Sequence, residues 1–314
     1  MLIGAPSDVQ LLSTASTAIA VTIRRSLIHA LDRPGGRALL AWLTTWYARN
    51  KMGRGHDLSV FYDDVWIRRL GPCYLADSPR YPYYGDTVTD SERDFRSIFD
   101  DTYDWWFHVY KPRMGDVIID VGAGTGSDTL VFSRSVGING TVLAVEAHPT
   151  TFRCLTKLCQ WNRLENTICL QCAIIDRQGV VYIDDSSDYR ASSVGRLPDN
   201  GRSDKIVSGV SLDEICAEYA IAKVNFLKMN VEGAERLAIR GMNDVIRQTD
   251  YVAIACHDFR ANRGDGEQFR TRSLVIDFLR SNHFRIVTRD DDPRPWARDH
   301  IHAIREVDND RQRR

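Results

Sequence analysis

The chain has 314 residues and carries 41 Lys and Arg against 42 Asp and Glu, which gives a formal net charge of −1. It lacks the basic surplus of a nucleic-acid-binding protein, so no nucleic-acid partner is expected. Its seven cysteines, an odd number, argue against a secreted disulfide framework and favour a reducing compartment, so we predict a cytoplasmic location. The length fits one α/β domain of about 200 residues and an added segment.

The first predicted element is a helix over residues 11–31. Its apolar residues recur every four positions: Leu11, Ala15, Ile19, Ile23, Leu27 and Leu31. Arg24 and Arg25 lie within residues 11–31, so the apolar stretch is too short for a transmembrane segment, and none is predicted. A signal peptide has its charges before its apolar residues, whereas here the charges come after most of them, so the segment does not resemble one. Two interpretations stay open: a helix that packs on its own domain or on a twin subunit in a homo-oligomer, or a peripheral helix on a membrane surface.

The rest of the N-terminal region contains helices and loops. A second helix is predicted over residues 37–50, after the break at Pro34-Gly35-Gly36. Residues 53–90 are rich in Pro and are predicted to be loops, and an acidic, aromatic helix follows near residues 95–110. Residues 1–110 are therefore predicted to form an N-terminal extension.

A glycine loop follows the first strand predicted after this extension. Residues 117–121 form an apolar, β-branched run typical of a buried parallel strand, and Gly122, Gly124 and Gly126 follow it. Glycines allow a sharp turn and a close approach of the backbone to a ligand. The helix that begins at Ser127 offers free N–H groups to polar ligand atoms. A strand–turn–helix corner without a ligand is the alternative interpretation.

A second strand, at residues 141–145, ends in a carboxylate about twenty residues after the loop. Glu146 at this strand end is placed to accept hydrogen bonds from ribose hydroxyls. Nicotinamide-binding folds use the same arrangement, so Glu146 indicates an adenosyl cofactor without separating a methyl donor from NAD. A solvated glutamate is the alternative.

A third strand, over residues 224–230, leads into the sequence Lys228-Met-Asn230-Val-Glu232-Gly-Ala-Glu235. This motif resembles the hallmark of FkbM-type methyltransferases, which O-methylate small molecules and glycans. The supporting matches are Lys111-Pro-Arg-Met-Gly-Asp116, Glu146-Ala-His-Pro149, Ser211-Leu-Asp-Glu214 and Gly241. The resemblance covers about residues 100–305. The family usually has Asn where Gly124 stands and Asp where Asn230 stands.

The resemblance implies a class I methyltransferase fold: a doubly wound, seven-stranded, mostly parallel α/β sheet over residues 111–306. It implies S-adenosylmethionine as cofactor and S-adenosylhomocysteine as product, and it makes residues 1–110 the expected substrate lid. The predicted cofactor-binding residues are Asp120, Gly122, Ala123, Gly124, Gly126, Glu146, Ala147, His148, Cys172, Ala173 and Asn230. Residues 307–314 are predicted to be a disordered tail.

The predicted catalytic residues follow the fourth and fifth strands of this sheet. Lys228, Asn230 and Glu232 alternate along one strand and share a face. His257 follows the apolar residues 251–256 and, with an ordinary pKa near 6.5, is predicted to be the general base. No ligand set requires a metal, so none is assigned, and a divalent ion is left open.

The remaining elements complete the expected order. Strands are predicted at residues 167–174 and 180–183, a long loop at 184–208, a helix at 267–281, and final strands at 284–288 and 300–305. Ser211 and Glu214 form a capping box that opens a helix.

The predicted function is S-adenosylmethionine-dependent O-methylation of a hydroxyl on a sugar, glycan, glycolipid or related natural product, with a small-molecule or glycan acceptor as partner. The alternatives are an NAD-dependent oxidoreductase or epimerase, and a catalytically inactive methyltransferase-like binding protein. The oxidoreductase is disfavoured because Ser127 stands where a dinucleotide-binding loop has its last glycine.

Overall fold

The computed structural model describes residues 26–51, 58–81, 95–184, 194–195 and 204–306. Of the helix predicted over residues 11–31, residues 26–31 are described and are helical, while the rest lies outside the described residues. The tail predicted at 307–314 also lies outside them. The chain divides into two compact units between Glu92 and Arg93.

The first unit contains a helix and a three-stranded antiparallel sheet. Its elements are α1 (Arg37–Lys51), β1 (Leu58–Asp63), β2 (Val65–Leu70) and β3 (Cys73–Ser78). Helix α1 lies on β1, where the Thr45 hydroxyl accepts a hydrogen bond of 2.9 Å from the Val60 N–H. The prediction of loops over residues 53–90 was wrong for residues 58–78, because six-residue strands alternate there with tight turns at Asp64 and Gly71, which both have positive φ.

The second unit contains a seven-stranded sheet. Its strands are β4 (Val117–Val121), β5 (Thr141–Val145), β6 (Thr167–Leu170), β11 (Val224–Met229), β12 (Thr249–Ala255), β13 (Phe284–Thr288) and β14 (His300–Arg305). Their order across the sheet is β13-β14-β12-β11-β4-β5-β6, in which β14 pairs antiparallel with β13 and β12 and the remaining neighbours pair parallel. This confirms the predicted seven-stranded, mostly parallel sheet and its final reversed hairpin.

Helices connect the strands of this sheet. They are α2 (Phe95–Trp105), α3 (Ser127–Val136), α4 (Pro149–Asn162), α5 (Leu212–Glu218), α6 (Glu235–Ala238), α7 (Asp258–Arg263), α8 (Arg272–Ser281) and α9 (Pro295–Arg298), with short 3₁₀ turns at Ile239–Gly241, Val245–Gln248 and Glu267–Phe269. The capping box is confirmed at the start of α5: the Glu214 N–H donates to the Ser211 hydroxyl, and the Ser211 N–H donates to the Glu214 carboxylate. No helix among the described residues is long and apolar enough to cross a membrane.

A second, four-stranded sheet is inserted after β6. It consists of β7 (Ala173–Ile174), β8 (Gly179–Asp184), β9 (Val194–Gly195) and β10 (Asp204–Val210), in the order β7-β10-β8-β9. The single strand predicted at 167–174 is thus two strands in different sheets. The loop predicted at 184–208 contains β9 and most of β10, which pairs antiparallel with β8.

The central strands are buried because apolar residues occupy both faces of the parallel sheet. Ile118, Ile119, Leu143, Phe226 and Leu227 have no exposed surface. Buried parallel strands end at the same edge of a sheet, and polar groups at that edge face the crevice where open α/β folds bind ligands.

Candidate active site

A cleft opens at the carboxyl ends of β4, β5 and β11, within the second unit. Nine of the predicted site residues line it: Gly122, Gly124, Glu146, Ala147, His148, Cys172, Ala173, Asn230 and Glu232. The prediction did not include seven further lining residues: Val121, Val145, Thr151, Ile174, Ile183, Val231 and Ala234. Ile183 comes from β8, so the inserted sheet contributes a wall that the sequence pattern did not indicate.

The glycine loop uses its glycines in different ways. Gly122 has φ +73°, and a Cβ there would collide with the Asn230 carbonyl oxygen, so this glycine lets β4 and β11 converge. Gly124 has φ +61° and lines the cleft, and a Cβ there would meet no described atom within 4 Å. A Cβ on Gly126 would lie 2.9 Å from Leu155, so Gly126 packs against α4 instead of lining the cleft. Ala123 is also turned into the core, beside Leu155.

Glu146 holds this loop from the end of β5. Its carboxylate accepts hydrogen bonds from the N–H groups of Gly124, at 2.9 Å, and His148, at 2.8 Å. Burial raises the pKa of Glu146, while these two backbone hydrogen bonds act in the opposite direction. The carboxylate therefore lies on the cleft wall with its orientation fixed before any ligand arrives.

His148 and Cys172 contribute walls to the same cleft. His148 caps α4, where its Nδ1 accepts a hydrogen bond of 3.2 Å from the Thr150 N–H. Burial raises the pKa of the Cys172 thiol to about 11, so it is a neutral, weakly polar surface at physiological pH.

Asp120 and Lys228 lie beneath the glycine loop. Lys228 Nζ donates to Asp120 Oδ1 at 2.8 Å and to the Gly122 carbonyl at 2.7 Å, and the Thr129 hydroxyl donates to Asp120 Oδ2 at 2.6 Å. Both members of this ion pair are buried, and neither lines the cleft. Their contacts favour a role in holding the loop, and the cofactor contact predicted for Asp120 and the catalytic role predicted for Lys228 stay predictions.

Asn230 presents an unsatisfied acceptor to the cleft. Its backbone N–H donates to the Val121 carbonyl at 2.9 Å, which fixes the end of β11 against β4. Its side-chain Oδ1 is buried and has no hydrogen-bond partner among the described residues. Because buried polar atoms are nearly always paired, this oxygen indicates a place where a ligand donates.

His257 lies between two carboxylates at the end of β12. Its Nε2 is 3.3 Å from Glu232 Oε1, and its Nδ1 is 3.1 Å from Glu235 Oε1. Burial of the ring lowers the pKa of His257, but the hydrogen bonds and charges of Glu232 and Glu235 outweigh burial and raise it to about 9. The imidazole is therefore a cation at neutral pH with both nitrogens engaged, which corrects the expectation of a base with an ordinary pKa.

Glu232 carries a strained backbone at the edge of the cleft. Its φ is +50°, a left-handed conformation that is uncommon outside glycine and costs about 1–3 kcal/mol. Its Oε2 accepts a hydrogen bond of 2.7 Å from Arg260. Burial acts to raise the pKa of Glu232, but His257 and Arg260 together hold it below its ordinary value, so the side chain is a carboxylate.

Glu235 and Arg260 are the parts of this cluster that the sequence prediction missed. Glu235 is fully buried, and its Oε2 has no hydrogen-bond partner among the described residues. Glu235 was visible as the last residue of the Lys228–Glu235 motif, but Arg260, on α7, had no sequence signal. Among the described residues no group of three or more His, Cys, Asp or Glu could hold a metal ion.

The strand order and the cleft over the central strands define a class I methyltransferase fold. Residues 120–286 match the family model described as the methyltransferase FkbM domain, which is more than half of the chain. The chain belongs to the FkbM methyltransferase family.

Two relatives have known names. The chain is 28% identical over 231 residues to 31-O-demethyl-FK506 methyltransferase FkbM of Streptomyces tacrolimicus, covering 63% of this chain and 83% of that protein. It is 25% identical over 143 residues to hexuronic acid methyltransferase AglP of Haloferax volcanii, covering 45% of this chain and 56% of that protein. The second alignment thus spans little more than half of that relative.

Two solved structures illustrate the similarity of fold. One is described as a putative rRNA-methylase of Clostridium thermocellum, with 13% identity, a TM-score of 0.43, and coverage of 68% of this chain and 94% of that one. The other is Aeropyrum pernix fibrillarin with natively bound S-adenosyl-L-methionine, with 16% identity, a TM-score of 0.40, and coverage of 78% and 98%. Scores this low bear on neither substrate nor mechanism.

Proposed function

We propose that the protein is an S-adenosylmethionine-dependent O-methyltransferase that methylates a hydroxyl of a sugar, glycan, glycolipid or related natural product. The observation that carries the proposal is the cleft itself, where Glu146 lies beside the glycine loop with Asn230 Oδ1, an oxygen that no described residue pairs. The names of the two relatives, a 31-O-demethyl-FK506 methyltransferase and a hexuronic acid methyltransferase, support an oxygen acceptor in a hydroxyl-rich molecule.

The residues of the cleft fit an adenosyl cofactor. Gly124 leaves room for a ligand against the backbone, Glu146 offers carboxylate oxygens to ribose hydroxyls, and Asn230 Oδ1 needs a donor such as an amino group. Ala147, His148, Cys172 and Ala173 supply a wall of small side chains and one ring, which suits an adenine ring. S-adenosylmethionine supplies a methyl group on a sulfonium and leaves as S-adenosylhomocysteine.

We further propose that Glu232 contacts the acceptor hydroxyl. It is the carboxylate of the His257 cluster that lines the cleft, and 22% of its side chain is exposed. An alcohol proton becomes strongly acidic as the new carbon–oxygen bond forms, so a carboxylate can take it even though the pKa of Glu232 is lowered. In this arrangement His257 orients Glu232, and Glu235 orients His257.

The cytoplasmic location stays a proposal supported by the cysteines. The described residues include all seven, and each is a free thiol. Free thiols without disulfides are typical of reducing compartments.

Calorimetric titration with S-adenosylmethionine, S-adenosylhomocysteine and NAD tests the cofactor. We expect binding of the first two and none of NAD, whereas binding of NAD alone would support the oxidoreductase alternative. The cofactor-loaded protein is then incubated with hydroxylated glycans, and a mass gain of one methylene group per acceptor supports methyl transfer. Cofactor binding without turnover of any acceptor in a broad panel would support the inactive binding protein.

A further inference from the structure

The outward face of helix α1 is an exposed stripe of large apolar side chains. Five residues spaced at helical intervals form this face, which we call the α1 apolar face: Leu39 is 49% exposed, Trp42 60%, Leu43 39%, Trp46 46% and Tyr47 47%. The opposite side of the helix carries its buried residues, none of which is aromatic: Leu40, Ala41, Thr44 and Ala48. The helix therefore places its largest apolar groups in solvent, which reverses the usual arrangement.

A helix that is apolar on all sides is normally covered on all sides. The sequence between Arg37 and Arg49 contains no charged residue, so nothing on α1 itself shields the two tryptophans. Contiguous exposed patches of this kind mark interaction surfaces in soluble proteins. The α1 apolar face is thus a candidate docking surface.

The charges in the sequence around α1 indicate what docks there. Residues 24–54 contain seven basic residues, Arg24, Arg25, Arg33, Arg37, Arg49, Lys51 and Arg54, against a single acidic residue, Asp32. The whole chain is nearly neutral, so this segment carries a local positive surplus. Asp32 is already paired with Arg37 at 3.0 Å, while Arg33 is exposed. The complementary partner is apolar and anionic.

We propose that the α1 apolar face binds the surface of an anionic lipid bilayer. Trp and Tyr prefer the boundary between headgroups and acyl chains, and flanking arginines attract anionic headgroups. A second copy of the chain is a poorer occupant, because a two-fold interface on this face would bring two basic segments together. This surface function goes beyond methyl transfer and does not depend on it.

Flotation of the full chain with vesicles tests the proposal. The wild-type protein floats with phosphatidylcholine vesicles that contain phosphatidylserine, and less with phosphatidylcholine alone. The double variant Trp42→Ser, Trp46→Ser weakens this binding by about tenfold or more, equivalent to about 1.4 kcal/mol. The matched control is Trp296→Ser, which removes a tryptophan that is 45% exposed on α9, and it floats like the wild type.

A charge variant keeps the test independent of the tryptophans. Arg33→Glu leaves the apolar face intact and reduces binding to the phosphatidylserine vesicles. Circular dichroism and S-adenosylmethionine affinity check that each variant is folded. Absence of wild-type flotation, or equal flotation of the tryptophan variant, overturns the proposal. So does a concentration-dependent dimer in light scattering that the tryptophan variant abolishes, since a second copy would then cover the face.

Discussion

At the scale of single residues, Glu146 combines a structural and a binding role. Its carboxylate accepts two backbone hydrogen bonds and lies on the cleft wall. We expect Glu146→Ala to weaken S-adenosylmethionine binding by about 1.5–3 kcal/mol for each charge-assisted bond lost. Glu146→Gln keeps the size and one acceptor, so its loss should be smaller. Titration calorimetry measures both, and unchanged affinity in the alanine variant would remove Glu146 from the cofactor site.

Gly124 gives a second, steric test of the same site. Valine at this position must adopt φ +61° and places its Cβ where no described atom lies within 4 Å, so its methyl groups extend into the cleft space. Both the backbone strain and the occupied space should reduce S-adenosylmethionine affinity, whereas the fold tolerates the side chain better than it would at Gly122. The comparison of Gly124→Val with Gly122→Val by thermal unfolding and calorimetry separates the two effects. Full cofactor affinity in Gly124→Val would contradict the assignment.

The pH dependence of the rate distinguishes Glu232 from His257 as the proton acceptor. Because the pKa of His257 is raised to about 9, a His257 base would give a rate that rises from pH 6.5 to about 9. A Glu232 base, with a lowered pKa, gives a rate that is flat over this range. We expect the flat profile, and Glu232→Gln should reduce kcat by about 10²–10⁴ while cofactor affinity is nearly kept. A rising profile that His257→Gln abolishes would return the base role to His257.

The same histidine links stability to pH. Its pKa is raised above the unfolded value of about 6.5, so the stabilisation is complete below that pH and is lost as pH rises towards about 9. Between pH 6.5 and 8.5 the free energy of unfolding should fall by about 2 kcal/mol through this group. Urea unfolding at several pH values measures it. His257→Gln should flatten that interval, and an unchanged slope would mean that the cluster does not hold a proton.

At the scale of elements, strand β14 carries two buried histidines with the opposite pH dependence. Burial lowers the pKa of His300 to about 4 and that of His302 to about 3, and the nearby charged groups add to the effect. His300 stacks on Trp106, with ring centroids 4.8 Å apart, and both ring nitrogens of His302 lack a hydrogen-bond partner among the described residues. These rings fold as neutral groups.

Acid should therefore destabilise the fold through the two histidines of β14. A histidine whose pKa is lowered by folding favours the folded state above about pH 6.5, and this contribution is lost as the pH falls towards 4. At pH 5 each of the two histidines should therefore lower the free energy of unfolding by about 2 kcal/mol. His302→Leu has nearly the same volume and removes two unpaired nitrogens, so it should be neutral or stabilising at pH 7 and less sensitive to acid. Urea unfolding at pH 5 and pH 7 measures this. His283→Asn, at an exposed position, is the matched control, and an equal acid loss in His302→Leu would refute the account.

Predictability from the sequence also varied by element. Strands β4, β5, β11 and β12 could be predicted because buried parallel strands are short runs dominated by apolar residues, with polar residues following them. Strand β10 could not, because its sequence includes Asp204, Lys205, Ser208 and Gly209 and its partner β8 lies beyond a long connection. The raised pKa of His257 was also out of reach, since it depends on Glu235, more than twenty residues earlier in the chain.

At the scale of the whole molecule, the division between Glu92 and Arg93 differs from the boundary expected at residue 110. The helix α2 belongs to the second unit, where the Thr102 hydroxyl and the Trp106 indole N–H both donate to Asp128 at the start of α3. Removing residues 95–110 with the extension would delete both donors, together with the rings of Phe107 and Tyr110 that pack on Phe226. The proposed lid is accordingly confined to residues 1–92.

This boundary leads to a prediction for the isolated second unit. Every residue that lines the cleft lies between Val121 and Ala234, so a fragment of residues 93–314 should fold and bind S-adenosylmethionine with nearly the affinity of the full chain. A fragment of residues 111–314 should be less stable because Asp128 loses both donors.

If residues 1–92 form the substrate lid, the longer fragment, residues 93–314, should also lose acceptor turnover while it keeps cofactor binding. Circular dichroism, calorimetry and methyl-transfer assays on the two fragments separate these outcomes. Full turnover by residues 93–314 would exclude the lid, and equal stability of both fragments would return the boundary to residue 110.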